Sequence, residues 1–255
     1  MNNFFDFTGK VVLVTGASSG IGRATAELFG SLGAAVALTY HKNRAGADAA
    51  VAAIAETGNR AIAVRTDVTE DGAIARMIGE VEAAFGPVDI LVNNAGSLVE
   101  RLRTLELTEA RWNEVMNLNA TSAFFAAQAV IPKMLEKGGG VIVNVTSIAA
   151  RNGGALGSIH YSSAKAAMLT MTKGLAKEFA GRGIRVNAVS PGVIDTPYHE
   201  TFTTAEVMQN LRSAIPMGRE GRPSEVAGVI AFLASDAASY LCGETIEING
   251  GLLMD

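Results

Sequence analysis

A tyrosine and a lysine stand four residues apart in the segment YSSAK, at Tyr161 and Lys165. Residues at this spacing project from one face of an α-helix, so an ammonium group could lie beside the phenol. A tyrosine normally ionises near pH ~10, and a nearby positive charge favours the phenolate. The pair could therefore act as an acid or a base. The spacing alone is weak, because an exposed helical pair would look the same.

A serine, Ser147, precedes Tyr161 at the end of the β-branched run VIVNVTS. This run predicts a strand over residues 141–147. Ligands of open α/β sheets bind outside the carboxyl ends of the strands. A hydroxyl at that place could hold the oxygen of a carbonyl or alkoxide against the tyrosine.

A glycine-rich turn, TGASSGIG, follows the first apolar run at residues 15–22. Gly16, Gly20 and Gly22 would let the backbone approach a pyrophosphate, and the next helix would offer free N–H groups there. The spacing GxxxGxG differs from the GxGxxG of the common dinucleotide fingerprint. On this pattern alone, a phosphate cradle and a merely tight strand-to-helix turn both remain open.

Seven apolar runs alternate with helical patterns along nearly the whole chain, which predicts βαβ units and a parallel sheet. Most runs are continuously apolar, as expected for strands covered by helices on both faces. We therefore expect an α/β fold of the doubly wound Rossmann type, with residues 1–255 forming a single domain. The predicted strands cover residues 11–15, 36–40, 61–66, 89–93, 141–147, 184–190 and 245–248.

Three segments between the strands carry specific predictions. One helix should begin at Thr69 and end at Gly86-Pro87. Residues 109–137 have a helical composition but exceed most globular helices in length, so we expect a bend or break near residues 117–119. Residues 191–223 fit no βαβ unit and follow a strand's carboxyl end, which favours a substrate lid over a surface helix packed on the body.

Composition argues against several classes of protein. The 255 residues are 49% hydrophobic and 18% charged, which suits a large core and excludes disorder. A formal net charge of −4 without a basic block argues against nucleic acid as a partner. No apolar run approaches the ~20 residues of a membrane span, and the N-terminus does not read as a signal peptide, so we expect no membrane and a cytoplasmic location. With one cysteine and three histidines, the chain has few of the residues that bind zinc, so we expect no metal site.

The motifs together resemble the short-chain dehydrogenase/reductase family. Residues 15–22 match its TGxxxGxG motif, and NNAG at residues 93–96 resembles its motif after the fourth strand. Residues 67–68 are similar to its adenine-contacting pair, and residues 191–196 to its nicotinamide-contacting segment. The tail LCGETIEINGG looks like its closing strand and turn. The resemblance implies hydride transfer between a nicotinamide dinucleotide and a ketone or secondary alcohol, without a metal.

The same resemblance implies roles for four side chains. Tyr161 would exchange a proton with the substrate oxygen, and Lys165 would hold the nicotinamide ribose and tune Tyr161. Ser147 would fix the carbonyl, and Asn119 would hold a water for proton relay. Asn117 is the rival for that last position, but it reads as a helix-surface amide.

The cofactor site implied by the resemblance runs along the carboxyl ends of the strands. An acidic residue after the second strand would select NAD, but this chain has Tyr40 there, followed by a small basic cluster. NADP(H) is therefore favoured, and NAD(H) remains possible because Ser19 stands where NADP-preferring members often carry a basic residue. The predicted contacts are Gly16, Ser18, Ser19, Gly20, Ile21, Gly22, Tyr40, His41, Lys42, Asp67, Val68, Asn94, Ala95, Gly96, Tyr161, Lys165, Pro191, Gly192, Ile194 and Thr196.

The sequence leaves more than one class of substrate open. Length and pattern look most like the 3-oxoacyl-[acyl-carrier-protein] reductase type, which would take an acyl-thioester carbonyl. A sugar or polyol dehydrogenase acting on a small molecule is the close rival, and a dinucleotide-binding protein without catalysis is a remote one. The predicted substrate contacts are Ser147, Arg151, Asn152, Tyr161, Tyr198 and Phe202.

Two further expectations concern packing and assembly. His160, next to Tyr161, points to another face of the helix and is interpreted as a packing or interface residue. Members of the family usually form tetramers through two long helices and the last strand. We therefore expect a homotetramer in which residues 109–137 and 158–180 lie at the interfaces.

Overall fold

A single parallel sheet organises the chain, whose computed structural model describes residues 4–197 and 205–254. All seven predicted strands are present, with ends within two residues of the predicted ones. They are β1 (Val11–Val14), β2 (Ala35–Tyr40), β3 (Ala61–Arg65), β4 (Ile90–Asn93), β5 (Gly140–Val145), β6 (Ile184–Pro191) and β7 (Thr245–Ile248). Their order is β3-β2-β1-β4-β5-β6-β7, and neighbours pair in parallel. The order reverses between β1 and β4, which is where doubly wound folds bind ligands.

Helices cover both faces of this sheet, which confirms the predicted fold class. They are α1 (Gly20–Ser31), α2 (Arg44–Glu56), α3 (Ala73–Phe85), α4 (Glu109–Met116), α5 (Ser122–Glu136), α6 (Ala149–Asn152), α7 (Ile159–Phe179), α8 (Ala205–Ala214) and α9 (Pro223–Ala234). Val12 and Val14 of β1 face the core under α1, α2 and α9. Val11 and Leu13 face the core under α3, α5 and α7. Alternate side chains are thus buried on opposite faces, which is why the strands read as continuously apolar.

Helices α1 and α9 lie side by side although they are far apart in the sequence. Ala26 and Phe29 of α1 share one core with Val226, Ile230 and Ala231 of α9, and all five are buried. Burying a phenylalanine fully contributes roughly 1.5–3 kcal/mol. Helices α1 and α9 therefore stabilise each other directly.

The long helical segment is interrupted where the sequence predicts a break. Between α4 and α5, Asn117–Thr121 form a π-helical turn. The side-chain amide of Asn119 donates to the carbonyl oxygen of Val115 at 2.9 Å. In an α-helix the same carbonyl would accept the backbone N–H of residue 119, so the Asn119 side chain competes for that acceptor beside the π-helical turn.

The predicted start of α3 at Thr69 is wrong, because the helix begins at Ala73. The Asp67 carboxylate accepts hydrogen bonds from the Thr69 backbone N–H (3.0 Å) and hydroxyl (2.6 Å), forming a local turn. Gly72 then takes a left-handed conformation with φ +71° directly before the helix. Among the helices of the described ranges, none is long and apolar enough to cross a membrane.

Candidate functional site

A cleft of about 770 Å³ opens at the carboxyl ends of the strands. All the residues predicted to contact the cofactor line it, from the glycine turn to Thr196. Ser147, Asn152, Tyr161 and Lys165 line the same cleft. The structure therefore brings the glycine turn and the tyrosine–lysine pair into one site.

The glycine turn is held in place by the segment after β4. The Thr15 hydroxyl oxygen accepts hydrogen bonds from the backbone N–H groups of Asn94 and Ala95, both at 3.0 Å. The Asn94 amide donates to the carbonyl oxygens of Thr15 (2.9 Å) and Gly16 (3.0 Å). On β2, the Thr39 hydroxyl accepts from the Gly16 N–H at 3.0 Å. Because both amide donors of Asn94 are used within the protein, its side chain positions the turn.

The turn leaves room and donors for an anion at the start of α1. Gly16 and Gly20 adopt positive φ angles of +63° and +54°. A Cβ on Gly22 would stand 2.4 Å from Asn94 Nδ2, so any other residue at this position would force Asn94 or the turn to move. The Ser19 side chain does not cap the helix, and the first residues of α1 line the cleft. Free helical N–H groups beside a glycine turn fit a dinucleotide's pyrophosphate.

The opposite end of the cleft is formed by the segments after β2 and β3. Tyr40 is buried at the end of β2, and His41 Nε2 lies 3.4 Å from Asp67 Oδ2. A hydrogen bond from the Thr69 hydroxyl holds the pKa of Asp67 below its usual value. Lys42 lines the cleft. No carboxylate ends β2, where one would bind a ribose 2′-hydroxyl.

Lys165 is buried on α7 and faces Tyr161. Its Nζ donates to the carbonyl oxygen of Val145 at 2.8 Å and lies 5.7 Å from the centre of the Tyr161 ring. Burial lowers the pKa of Lys165 from 10.5 to about 7. A lysine ammonium has three donors, so Nζ retains capacity for a ligand. Ser147 Oγ accepts from the Ala149 N–H at 3.1 Å, which leaves the serine hydrogen available to an oxygen in the cleft.

Asn119 lies directly behind Gly96 and does not itself line the cleft. Its amide nitrogen donates to the Ser97 carbonyl at 2.8 Å as well as to the helix, while its buried Oδ1 has no hydrogen-bond partner among the described residues. A Cβ on Gly96 would stand 2.4 Å from that oxygen and 3.1 Å from Lys165 Nζ. An unpaired buried acceptor beside a lysine is the arrangement that a bound water satisfies. Its rival Asn117 is exposed, in agreement with the choice of Asn119.

Some predicted substrate contacts are placed differently or lie outside the described residues. Arg151 is not among the described residues that line the cleft, and its Nη1 forms a 3.0 Å ion pair with Glu247 on β7, so its contact with substrate stays a prediction. Tyr198 and Phe202 lie outside the described residues. His160 is fully buried, with Nε2 at 3.1 Å from the Glu100 carbonyl, which confirms the packing interpretation.

Several cleft residues carried no individual signal in the sequence. Arg101 lies in the loop after β4, and Leu118 in the π-helical turn. Val207 and Leu211 reach the cleft from α8, within the predicted lid, and Leu252 from the C-terminal turn. These residues belong to loops and short elements, where no periodic pattern indicates which side chains face a ligand.

Comparison with known proteins places this geometry among enzymes. A family model described as enoyl-(acyl carrier protein) reductase matches residues 16–253. The chain is 42% identical over 248 residues to a 3-oxoacyl-[acyl-carrier-protein] reductase of a Synechocystis strain, covering 97% of this chain and 98% of the relative.

Solved structures agree over the whole fold. One, from Beutenbergia cavernae, is described as an NAD(P)-dependent gluconate 5-dehydrogenase with bound NADP; it has a TM-score of 0.91 and 36% identity, covering 97% of this chain and 98% of its own. Another, a 7α-hydroxysteroid dehydrogenase complexed with NADH and 7-oxo glycochenodeoxycholic acid, has a TM-score of 0.93 and 33% identity, covering 98% and 97%. These proteins share one architecture and differ in substrate.

Proposed function

Because the chain belongs to the short-chain dehydrogenase/reductase family, we propose that it interconverts a ketone and a secondary alcohol with a nicotinamide dinucleotide, and that its substrate is a 3-oxoacyl thioester. The observation that carries the proposal is the presence of Ser147, Tyr161 and Lys165 in one cleft with the glycine turn. The substrate class is supported by the 42% identical reductase of Synechocystis.

The side chains of the cleft divide the work of the reaction. The dinucleotide, when bound, supplies or accepts the hydride. The glycine turn and the start of α1 bind its pyrophosphate, and Lys165 Nζ donates to its ribose hydroxyls. Ser147 donates a hydrogen bond to the substrate oxygen, which orients the carbonyl. Tyr161 delivers a proton to that oxygen in reduction and removes it in oxidation.

Asn119 and Lys165 support this proton transfer. Asn119 Oδ1 accepts a hydrogen bond from a water held behind Gly96. The ammonium form of Lys165 favours the phenolate form of Tyr161 over the neutral phenol. Burial lowers the pKa of Lys165 to about 7, and hydroxyl groups that accept from Nζ favour the charged form of the lysine.

Initial rates of NADPH oxidation with an acetoacetyl thioester test the proposal, beside a panel of small ketoses and keto acids. We expect saturable turnover of the thioester well above the panel. Tyr161→Phe should abolish turnover while leaving NADPH affinity within about twofold, because the phenol hydroxyl acts on the substrate. A variant that keeps more than about a tenth of the wild-type rate would contradict the role of Tyr161.

A sugar or polyol dehydrogenase is the second candidate, favoured by the 36% identical structure described as a gluconate 5-dehydrogenase. Turnover of a ketose without turnover of the thioester would select it. Cofactor binding without turnover of any carbonyl compound would instead indicate a dinucleotide-binding protein.

We further propose a preference for NADP(H), because β2 ends in Tyr40 and Lys42 lines the cleft beside it. A carboxylate at the end of β2 would repel a 2′-phosphate, and a lysine attracts it. Arg44 offers a matched control, since it pairs with Asp48 at 3.3 Å and does not line the cleft. Lys42→Ala should weaken NADPH binding about tenfold and leave NADH unchanged, whereas Arg44→Ala should change neither. Tighter binding of NADH than NADPH by the wild type would reverse the assignment.

Assembly into a homotetramer is also part of the proposal. An apolar groove of about 510 Å³ runs along α5 and α7, lined by Phe124, Ala167, Met171 and Leu175 among others. Phe124 is 39% exposed in the single chain, which suits a helix face that a second copy covers. Phe124→Glu should lower the mass measured by light scattering, while Leu105→Glu, on an exposed residue outside the groove, should not. Equal masses for both variants would place the interface elsewhere.

Two remaining elements complete the proposal. Residues 191–223 act as the substrate lid, supported by Val207 and Leu211 lining the cleft. The protein is proposed to work in the cytoplasm, where a free thiol such as that of Cys242 stays reduced.

A further inference from the structure

The first turn of α7, which carries Tyr161, is anchored largely by polar side chains. Ile159 is 45% exposed, and the first buried apolar residue of the helix is Ala164. The residues that the helix buries before that point are His160 and Ser162. The position of this turn therefore depends on the hydrogen bonds that these two side chains make.

His160 reaches out of its helix to the loop between β4 and α4. It is fully buried, and its Nε2 lies 3.1 Å from the Glu100 carbonyl oxygen. A carbonyl oxygen only accepts, so Nε2 is the donor. Its Nδ1 is buried without a partner, so this bond is the one hydrogen bond of the ring in the described part of the chain. Two residues further along the loop, the Leu102 N–H donates to the Gly157 carbonyl at 3.1 Å, directly before the helix.

The same loop contacts Asn119 at its beginning. The Ser97 carbonyl accepts from Asn119 Nδ2 at 2.8 Å, and Ser97 lines the cleft. A Cβ on Gly96 would clash with Asn119 Oδ1 and would stand 3.1 Å from Lys165 Nζ, which itself lies 5.7 Å from the centre of the Tyr161 ring. The loop thus runs from the π-helical turn of Asn119 to the start of the helix that carries the tyrosine.

Between these two contacts the loop holds a strained residue. Val99 has φ +65° and is the one non-glycine residue with positive φ among the residues that the structure describes. This conformation is an outlier for a β-branched side chain, and such strain persists only where the surroundings enforce it. The Val99 N–H donates to the Ser97 hydroxyl at 3.0 Å, and the bond from His160 follows at the next residue, Glu100. Without that bond the loop could relax and carry Ser97 with it.

We propose that His160 is a positioning residue for the reaction: its imidazole fastens the loop of residues 97–102 to α7, so that Asn119 and Tyr161 keep a fixed arrangement. The inference rests on the proposed function, since it concerns the geometry of the proton transfer. His160 is buried and does not line the cleft, so it acts through these two residues and not on the substrate. Loss of the bond slows proton transfer and leaves binding of the dinucleotide intact.

Two variants that differ by one methylene give the sharpest test. In His160→Gln the amide nitrogen reaches about as far as Nε2 of histidine and can donate to the Glu100 carbonyl. In His160→Asn the amide nitrogen reaches only as far as Nδ1, so the bond to the loop is lost. His160→Leu fills a similar volume and has no donor.

Ser162→Ala is the matched control. Ser162 is buried in the same turn, but its hydroxyl donates to the carbonyl oxygens of Gly153 (2.8 Å) and Ser158 (3.1 Å), in the segment that leads into the helix. Each variant is assayed on the ketone or thioester of the panel above that the wild type reduces fastest. The measurements are kcat, KM, the NADPH dissociation constant, the ratio of kcat in H2O to kcat in D2O, and the free energy of unfolding in urea.

We expect His160→Asn and His160→Leu to lower kcat by about 10- to 100-fold, with the NADPH dissociation constant within about threefold of the wild type. The ratio of kcat in H2O to kcat in D2O should rise, because proton transfer becomes slower relative to the other steps. His160→Gln should keep kcat within about threefold of the wild type. Ser162→Ala should keep kcat within about twofold even where it lowers the free energy of unfolding, because its bonds do not reach the loop.

An unchanged kcat in His160→Asn overturns the inference, and so does an equal loss in His160→Gln and His160→Asn. A loss in Ser162→Ala as large as that in His160→Asn, or a lower kcat with an unchanged solvent isotope effect, also overturns it. If His160→Leu does not fold, the comparison of glutamine with asparagine still decides. All these outcomes leave the proposed function intact, whereas a wild-type enzyme that reduces nothing in the panel overturns the proposed function and this inference with it.

Discussion

Replacing Lys165 with methionine should stabilise the protein while removing its activity. Methionine has a similar length and no charge, so Lys165→Met relieves the burial of an ammonium group. With a pKa of about 7 in the folded protein against 10.5 as its ordinary value, the lysine lowers the free energy of unfolding by about 4 kcal/mol at pH 7. This is an upper value, and loss of the donor to the Val145 carbonyl opposes it by about 1–3 kcal/mol. We expect a net gain of about 1–3 kcal/mol at pH 7.

The pH dependence distinguishes this cause from better packing. Between pH 7 and 10.5 the unfolded chain binds more protons at this residue than the folded protein, so the wild type becomes more stable as pH rises through that window. At pH 9 the lysine lowers the free energy of unfolding by only about 2 kcal/mol. The gain in stability of Lys165→Met over the wild type should therefore be smaller at pH 9 than at pH 7, by about 2 kcal/mol. Below pH 7 both states are protonated and the advantage should level off.

Urea unfolding without cofactor, at pH 7 and pH 9 and at one protein concentration, measures this difference. Lys173→Met is the matched control, since Lys173 is exposed on the same helix and should show no such change between the two pH values. The reasoning would be refuted if Lys165→Met gained the same stability at both pH values, or if it were less stable than the wild type at pH 7. Either result would mean that burial of the Lys165 ammonium group does not destabilise the folded protein.

Three further predictions address other parts of the molecule. Gly96→Ala should lower kcat by about 10- to 100-fold with little change in the circular dichroism spectrum, because the new methyl group meets Asn119 Oδ1 at 2.4 Å; near wild-type kcat would contradict this. Gly22→Ala should raise the NADPH dissociation constant more than about tenfold in a fluorescence titration, whereas Gly79→Ala, with open space around its Cβ, should not. Arg185→Met should lower the free energy of unfolding, measured in urea, by about 2–4 kcal/mol, because the Arg185 guanidinium donates to four carbonyl groups at the end of α9 and in the turn after it. An unchanged free energy of unfolding would show that water replaces these hydrogen bonds.

The sheet could be predicted from sequence because each strand is a continuous apolar run whose pattern is set by burial on both faces. The break near Asn119 was predictable in place, since polar residues interrupt a long helical segment. Its π-helical form was not, because a polar interruption is equally compatible with a kink, a break or a π-helical turn. The ion pair of Arg151 with Glu247 was not predictable, because Glu247 lies on a strand distant in sequence and such pairing leaves no local pattern. Arg101 escaped individual notice because it lies in a loop, where no periodic pattern indicates which side chains line the cleft.

The packing of α1 against α9 has a consequence for synthesis of the protein. A ribosome completes the helix that carries Phe29 long before the helix that covers it, because Ile230 follows Phe29 by 201 residues. Until then the apolar face of α1 stays exposed to water, and folding must wait for contacts that span most of the chain. A nascent chain stalled before residue 223 should therefore bind a chaperone that recognises apolar surface, and a chain of all 255 residues, once released from the ribosome, should not.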